Sequence, residues 1–173
     1  MKRIMAPLLA FIIGISLFPI LAGCGGDNGG GIIDAGNVSA PCPKGWKGYL
    51  NRESSADVNS PVKPNELEIY KDAKNDWDIF THTGLRIKYY GPDREMDNPD
   101  YYFSEPEELS PMEIGGRTWK GYKGLWMGEP RAILWTEEGD NQIRIEVILE
   151  NDGRSISLDD PDVHEIIAGI QYK

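Results

Sequence analysis

Two histidines, 28 acidic residues and two cysteines carry most of the chemistry open to this 173-residue chain. None of them sits in a pattern that defines a reaction. His82 lies in Thr81-His82-Thr83-Gly84, a strand end or turn, and His164 lies just inside an apolar stripe near the C-terminus. No G-x-S-x-G elbow occurs to present a serine nucleophile. His164-Glu165 lacks the second histidine, four residues on, that a zinc-protease helix needs. Acidic residues cluster at Asp72, Asp76 and Asp78, at Asp93, Asp97 and Asp100, and at Asp152, Asp159 and Asp160. A calcium loop supplies six to eight oxygens and needs glycine at its sharp turn, and no cluster has that spacing. With so many acids, any carboxylate pair for glycoside hydrolysis can be drawn, so none is singled out. Gly115-Gly116 and Gly121-x-x-Gly124 read as turn and strand-edge glycines, not as a phosphate cradle. No catalytic residue, metal ligand or cofactor is expected.

The remaining candidates are aromatic. The chain holds five Trp, eight Tyr and four Phe. Tyr101-Tyr102 lies between Asp100 and Ser104, and Trp126 lies between Lys123-Gly124 and Gly128-Glu129-Pro130. Trp119 opens the run that Trp126 closes. Tyr101, Tyr102, Trp119 and Trp126 are the candidate ligand-binding rings, since an exposed aromatic suits a sugar face or a protein partner. Packing at the edge of the core is the competing use of each ring.

The two cysteines, Cys24 and Cys42, allow a disulfide in an oxidising compartment. A second reading excludes it. Met1-Lys2-Arg3 is a positive start, Ile4 to Ile20 is an almost unbroken apolar run, and Leu21-Ala22-Gly23-Cys24 follows. Charge followed by apolarity is an export signal. The final four residues resemble the lipobox of bacterial lipoproteins: an aliphatic residue, two small residues and a cysteine. That resemblance implies cleavage between Gly23 and Cys24 and a diacylglyceryl group, with palmitate-type chains, on the Cys24 sulfur. Cys42 then lies outside any disulfide. An uncleaved transmembrane helix is the alternative, because Ile4 to Ala22 is long enough to span. Pro7, Gly14 and Pro19 interrupt it, and no basic residue follows until Lys44. Two acyl chains hold a protein to a bilayer where one holds only marginally. Gly25, in place of the aspartate that retains such proteins at an inner membrane, permits the outer membrane of a double-membrane cell. The expected location is extracytoplasmic, on a membrane, reached through the diacylglyceryl-cysteine.

Cys24 to Ala40 reads CGGDNGGGIIDAGNVSA, with six glycines in 17 residues. This composition predicts a flexible tether, with Ile32-Ile33 incidental to it. Three regions follow: signal 1–23, tether 24–40 and one domain, 41–173. The formal charge is −10, and loss of Lys2 and Arg3 leaves 16 basic against 28 acidic residues, or −12. Nucleic-acid phosphates and anionic headgroups repel such a body, so nucleic acid is excluded as a partner.

Within the domain, Ile143, Ile145, Val147 and Leu149 alternate with Arg144, Glu146 and Ile148. That spacing predicts a half-buried strand. Arg131 to Glu137 pairs with it through Glu138-Gly139-Asp140-Asn141. Arg117–Lys123 and Leu85–Tyr90 are further strands, and Glu66–Lys71 and Gly45–Leu50 are weaker ones. Glu105–Leu109 reads as a turn or two of helix. Near the C-terminus, Asp160 can cap, Pro161 fits the first helical position, and Val163, Ile166, Ile167 and Ile170 form one stripe. Gly169 ends that helix and Ile170-Gln171-Tyr172 closes as a strand. The expected class is α+β: a mainly antiparallel sheet with a C-terminal amphipathic helix packed on one face. The order of elements over residues 43–173 resembles the PsbP-like α/β/α sandwich, a group with secreted and lipid-anchored members. The functional expectation is a non-catalytic domain displayed at the envelope, with a glycan or protein partner. The alternative is an envelope hydrolase using carboxylates or calcium.

Overall fold

The computed structural model describes residues 30–57, 59–98, 101 and 103–173. The signal segment, the lipobox with Gly23 and Cys24, and Tyr102 lie outside the described residues. In chain order the strands are β1 (Gly31–Asp34), β2 (Val38–Cys42), β3 (Trp46–Arg52), β4 (Val62–Lys71), β5 (Gly84–Tyr90), β6 (Ser104–Ile114), β7 (Arg117–Trp126), β8 (Glu129–Glu138), β9 (Asn141–Ile148), β10 (Glu150–Asn151), β11 (Arg154–Ser155) and β12 (Gln171–Tyr172). A 3₁₀ turn covers Asp76–Phe80, and the helix α1 covers Pro161–Ala168.

Seven strands form one antiparallel sheet in the order β3-β4-β5-β9-β8-β7-β6. The cause is period-two patterning. Leu67 and Ile69 on β4, Leu85 and Ile87 on β5, Ile143, Ile145 and Val147 on β9, and Leu134 on β8 all point to one face and are buried. Each such aliphatic contributes roughly 1.5–3 kcal/mol on burial. The hairpin read from the sequence is present as β8 and β9 around Gly139.

A second layer covers the apolar face. It is a three-stranded sheet, β1-β2-β12, with α1 beside it. Here the tether expectation is corrected. From Gly31 the chain is strand, Ile33 is buried, and Val38 and Ala40 are fully packed. Ile32-Ile33 is not incidental, because Ile33 fills the space over Gly48, where any β-carbon would clash with it. The glycines hid a strand pair whose inward side chains are few but buried.

The expected α+β class is also corrected. Strand dominates, and α1 is eight residues. Seven strands at about 4.8 Å spacing span about 29 Å, whereas an eight-residue helix is about 12 Å long. One such helix cannot be the covering layer. It does bury Val163, Ile166 and Ile167, and it starts at Pro161 and stops at Gly169. Asp160 turns back to accept from the Ser157 amide instead of capping, and Asp162 accepts from Trp46 Nε1 at 3.1 Å. Nor do the described residues place helices on both sides of the sheet, as the PsbP-like resemblance implies.

The helix expected at Glu105–Leu109 is the edge strand β6. Glu105, at φ +53°, has left-handed backbone that a helix cannot use, and it sits where the register with β7 shifts. The strand's exposed glutamates and prolines suit an unpaired edge.

Candidate functional site

The outer face of the large sheet is polar, and its charges stand in rows across the strands. Residues that share a pleat on neighbouring strands face one another. Glu68, Arg86 and Glu146 are register partners on β4, β5 and β9, and Glu66, Lys88 and Arg144 form the next row. Arg86 Nε lies 3.6 Å from Glu68 and 2.9 Å from Tyr70 Oη, and Arg86 Nη1 lies 3.7 Å from Glu146. Tyr70 Oη donates to Glu68 at 2.6 Å, and Asn51 Nδ2 donates to the other oxygen of Glu68 at 3.0 Å. Arg131 on β8 donates to buried Glu146 and, at 2.8 Å, to Glu129. Its guanidinium also lies 4.9 Å from the ring centre of Trp126. Lys88 bonds Glu66 at 3.5 Å and sits over Tyr90.

Burial opposes the charge of Arg86, but Tyr70, Glu146 and Glu68 outweigh it, so its pKa rises. The Tyr70 hydroxyl is pushed far up by burial and by Glu68. Tyr49, which meets Tyr70 edge-on, is raised to about 12 by burial and by Asp76 and Asp78. Both phenols therefore remain neutral donors throughout the physiological range. Glu66, Glu68, Glu129 and Glu146 stand among Arg86, Lys88, Arg131 and Arg144 here, and Glu108, Glu137, Lys47 and Lys120 share their pleat, so the two signs balance on this face in a chain of charge −10.

Two shallow hollows lie on the sheet, the first on this face and the second on the pleat side of Trp119 and Ala132. One, of about 170 Å³, is lined by Asn51, Glu68, Arg86, Lys88, Arg144 and Glu146. The other, of about 240 Å³, is lined by Glu105, Lys123, Leu125, Pro130 and Arg131. Both fall below the roughly 300–1,000 Å³ of an enclosing ligand pocket. The site is a shallow polar surface that runs across the strands. Nε of Arg131 and Oη of Tyr90 are buried without a hydrogen-bond partner among the described residues.

The candidate rings separate. Trp119 is fully buried, its Nε1 donating to the Ile114 carbonyl at 3.1 Å, so it is a core residue and cannot touch a ligand. Even spacing from Trp119 puts Gly121 on its face and Trp126 on the other. Trp126 is half-buried at the rim of the polar face against Arg131. Tyr101 is 83% exposed on the β5–β6 connection. Phe103, on the same connection, packs against Gly124. The acidic clusters are used locally. Asp78 accepts from the amides of Lys74 and Asn75 at 2.6 and 3.1 Å, which hold its carboxyl below the usual range, while Asp152 pairs with Arg154. Among the described residues no group of three His, Cys, Asp or Glu side chains is placed to hold a metal ion. His82 is buried beside Thr81, and His164 is exposed on α1. Cys42 is buried with Sγ 3.3 Å from the Trp46 carbonyl.

The charge rows were missed in the sequence. Their signal was present, as Glu66-x-Glu68, Arg86-x-Lys88 and Arg144-x-Glu146, but opposition across strands needs the register.

No family model matches the chain, and no curated protein matches it. A crystal structure of a protein from Bacteroides thetaiotaomicron VPI-5482 is similar with a TM-score of 0.48 and 14% identity over 83% of this chain. The chain spans about half of that structure's length, 48%. No helix among the described residues is long and apolar enough to cross a membrane, which says nothing of strands.

Proposed function

We propose that this chain is an extracytoplasmic lipoprotein, anchored through Cys24, whose folded domain binds an envelope glycan without transforming it. The observation that carries the binding reading is the outer face of the sheet. A near-neutral lattice of charges with Trp126 at its rim stands on an otherwise acidic molecule. Polyhydroxylated chains are held by such planar arrays of donors and acceptors beside an aromatic ring. The oxygens of Glu68 and Glu146 are engaged by Asn51, Tyr70, Arg86 and Arg131, so they serve as acceptors fixed in place. The anchoring reading rests on Leu21-Ala22-Gly23-Cys24 alone.

The test is binding of the full chain, in detergent, to an array of envelope polysaccharides, alongside Trp126→Ala and Lys88→Ala. Binding that both variants weaken supports the reading. Binding equal in all three, or release of reducing ends from the bound glycan, overturns it.

A further inference from the structure

Two large rings lie largely exposed at one end of the sheet. Trp77 is 78% exposed and Phe80 66%, and the rings sit 6.1 Å apart on the 3₁₀ turn between β4 and β5. The turn is held rigidly. Asn75 caps it through the Trp77 amide, Asp78 closes the reciprocal bond, and Asn151 Nδ2 grips the Phe80 carbonyl from the β10–β11 hairpin. The same hairpin borders the β7–β8 turn, where Met127 is 92% exposed. Apolar surface presented on a rigid turn, not folded inward, is the mark of a contact made with something else.

What it meets is indicated by where the chain leaves. The Gly30 amide bonds the Cys42 carbonyl, Cys42 leads through Gly45, and the Gly45 carbonyl bonds the Asp72 amide. Lys47 then reaches the Lys74 carbonyl and Tyr49 the Asn75 carbonyl. The described chain therefore begins at the end of the sheet that bears Trp77 and Phe80. Gly30 follows Cys24 by only six positions. Six residues reach at most about 20 Å. An acylated Cys24 would hold this end, and not the far end at Tyr90 and Gln142, next to the bilayer.

We propose that the Trp77–Phe80 turn, with Met127 beside it, docks into the interfacial layer of the bilayer that holds Cys24. This rests on the lipid-anchor reading above. Tryptophan is the side chain best suited to that layer, where one part of the ring is apolar and the other wet. Asp72, Asp76 and Asp78 outnumber Lys44 and Lys74 around the turn, so the contact rests on its apolar surface and is opposed by anionic headgroups. Two rings bind a bilayer weakly alone. A tether this short supplies an effective concentration near the millimolar range, so docking follows from anchoring. It would hold the polar face of the sheet in a fixed attitude to the membrane.

The experiment uses the full chain extracted from cell membranes and reconstituted in phosphatidylcholine vesicles carrying acyl chains brominated near the headgroup. Intact mass reports acylation, and thermal melting shows that Trp77→Phe is folded. Quenching of tryptophan emission in the parent, lost in Trp77→Phe and not strengthened by adding phosphatidylglycerol, is the expected result. An acylated parent quenched no more than Trp77→Phe overturns docking and leaves the anchor standing, with a protein as the occupant of the turn. A chain without acyl mass that washes from the membrane overturns both.

Discussion

Arg131 meets Glu146, Glu129 and the ring of Trp126 with one guanidinium. Glu146 is buried, so loss of Arg131 leaves a charge out of water with Arg86 at the longer distance of 3.7 Å. Removing one partner of a buried pair costs about 3 kcal/mol, while replacing both with apolar side chains is close to neutral. Arg131→Met is expected to lower stability by about that amount, and Arg131→Met with Glu146→Leu by clearly less. Denaturant unfolding of both variants checks it, and equal losses would show that the pair is not coupled. Glu138 gives a pH dependence. Arg117 and Tyr172 donate to its carboxylate and hold its pKa below the usual 4.5. A depressed pKa contributes stability above the unfolded value, and that contribution is lost as pH falls through the folded one. The stability gap between the parent and Glu138→Gln should therefore be constant above pH 4.5 and close below it, as thermal melts in acid would show. At this scale the sequence was a partial guide. Trp119 and Trp126 are the same residue type seven positions apart, and only pleat parity and register decide that one is core and the other rim.

Elements were legible where their signal was local. The β8–β9 hairpin shows alternation and a Gly-Asp turn, and α1 shows its proline start and glycine stop. Elements failed where tertiary contact supplies the stability. β1 and β2 look like linker because their inward residues are stabilised by β3, β4, α1 and β12, elements beyond the N-terminal stretch itself, and β6 looks helical because edge glutamates are also good helix formers. Two turns test this level. Gly115 and Gly116, both at positive φ, join β6 to β7. A β-carbon on Gly116 meets nothing, whereas on Gly115 it comes within 2.5 Å of the Ala168 backbone in α1. Gly116→Ala is expected to cost about 1 kcal/mol, from conformation alone. Gly115→Ala should cost more than that, since it also pushes the helix off the sheet end. Met127 is the opposite case, a bulky side chain at φ +53° in a two-residue hairpin turn followed by Gly128. Asn-Gly is the favoured pair there. Met127→Asn should therefore stabilise the fold by about 0.5–1 kcal/mol, as measured by chemical denaturation, while weakening any apolar contact made by the tip.

At the scale of the molecule, the boundary between tether and domain decides what can fold. Composition placed it near Ala40, and the structure places it at or before Gly30. Ile33 and Val38 together contribute about 3–6 kcal/mol by burial, against a total of about 5–15 kcal/mol for a domain. Their strands also shield Trp46, Leu67 and Ile69 from water and give β12 its only strand partner among the described residues. β12 in turn stacks Tyr172 on Tyr89 at 5.1 Å and carries the hydroxyl that Glu138 accepts. A chain starting at residue 41 thus loses β1 and most of β2 through the absence of eleven described residues. It is expected to show no cooperative melt and little near-ultraviolet circular dichroism. A chain starting at residue 30 should melt in one transition, because every strand contact drawn from the N-terminal segment is retained. Equal melts for the two would mean that β1 and β2 rest on the sheet without stabilising it, and the segment would revert to a spacer between membrane and domain.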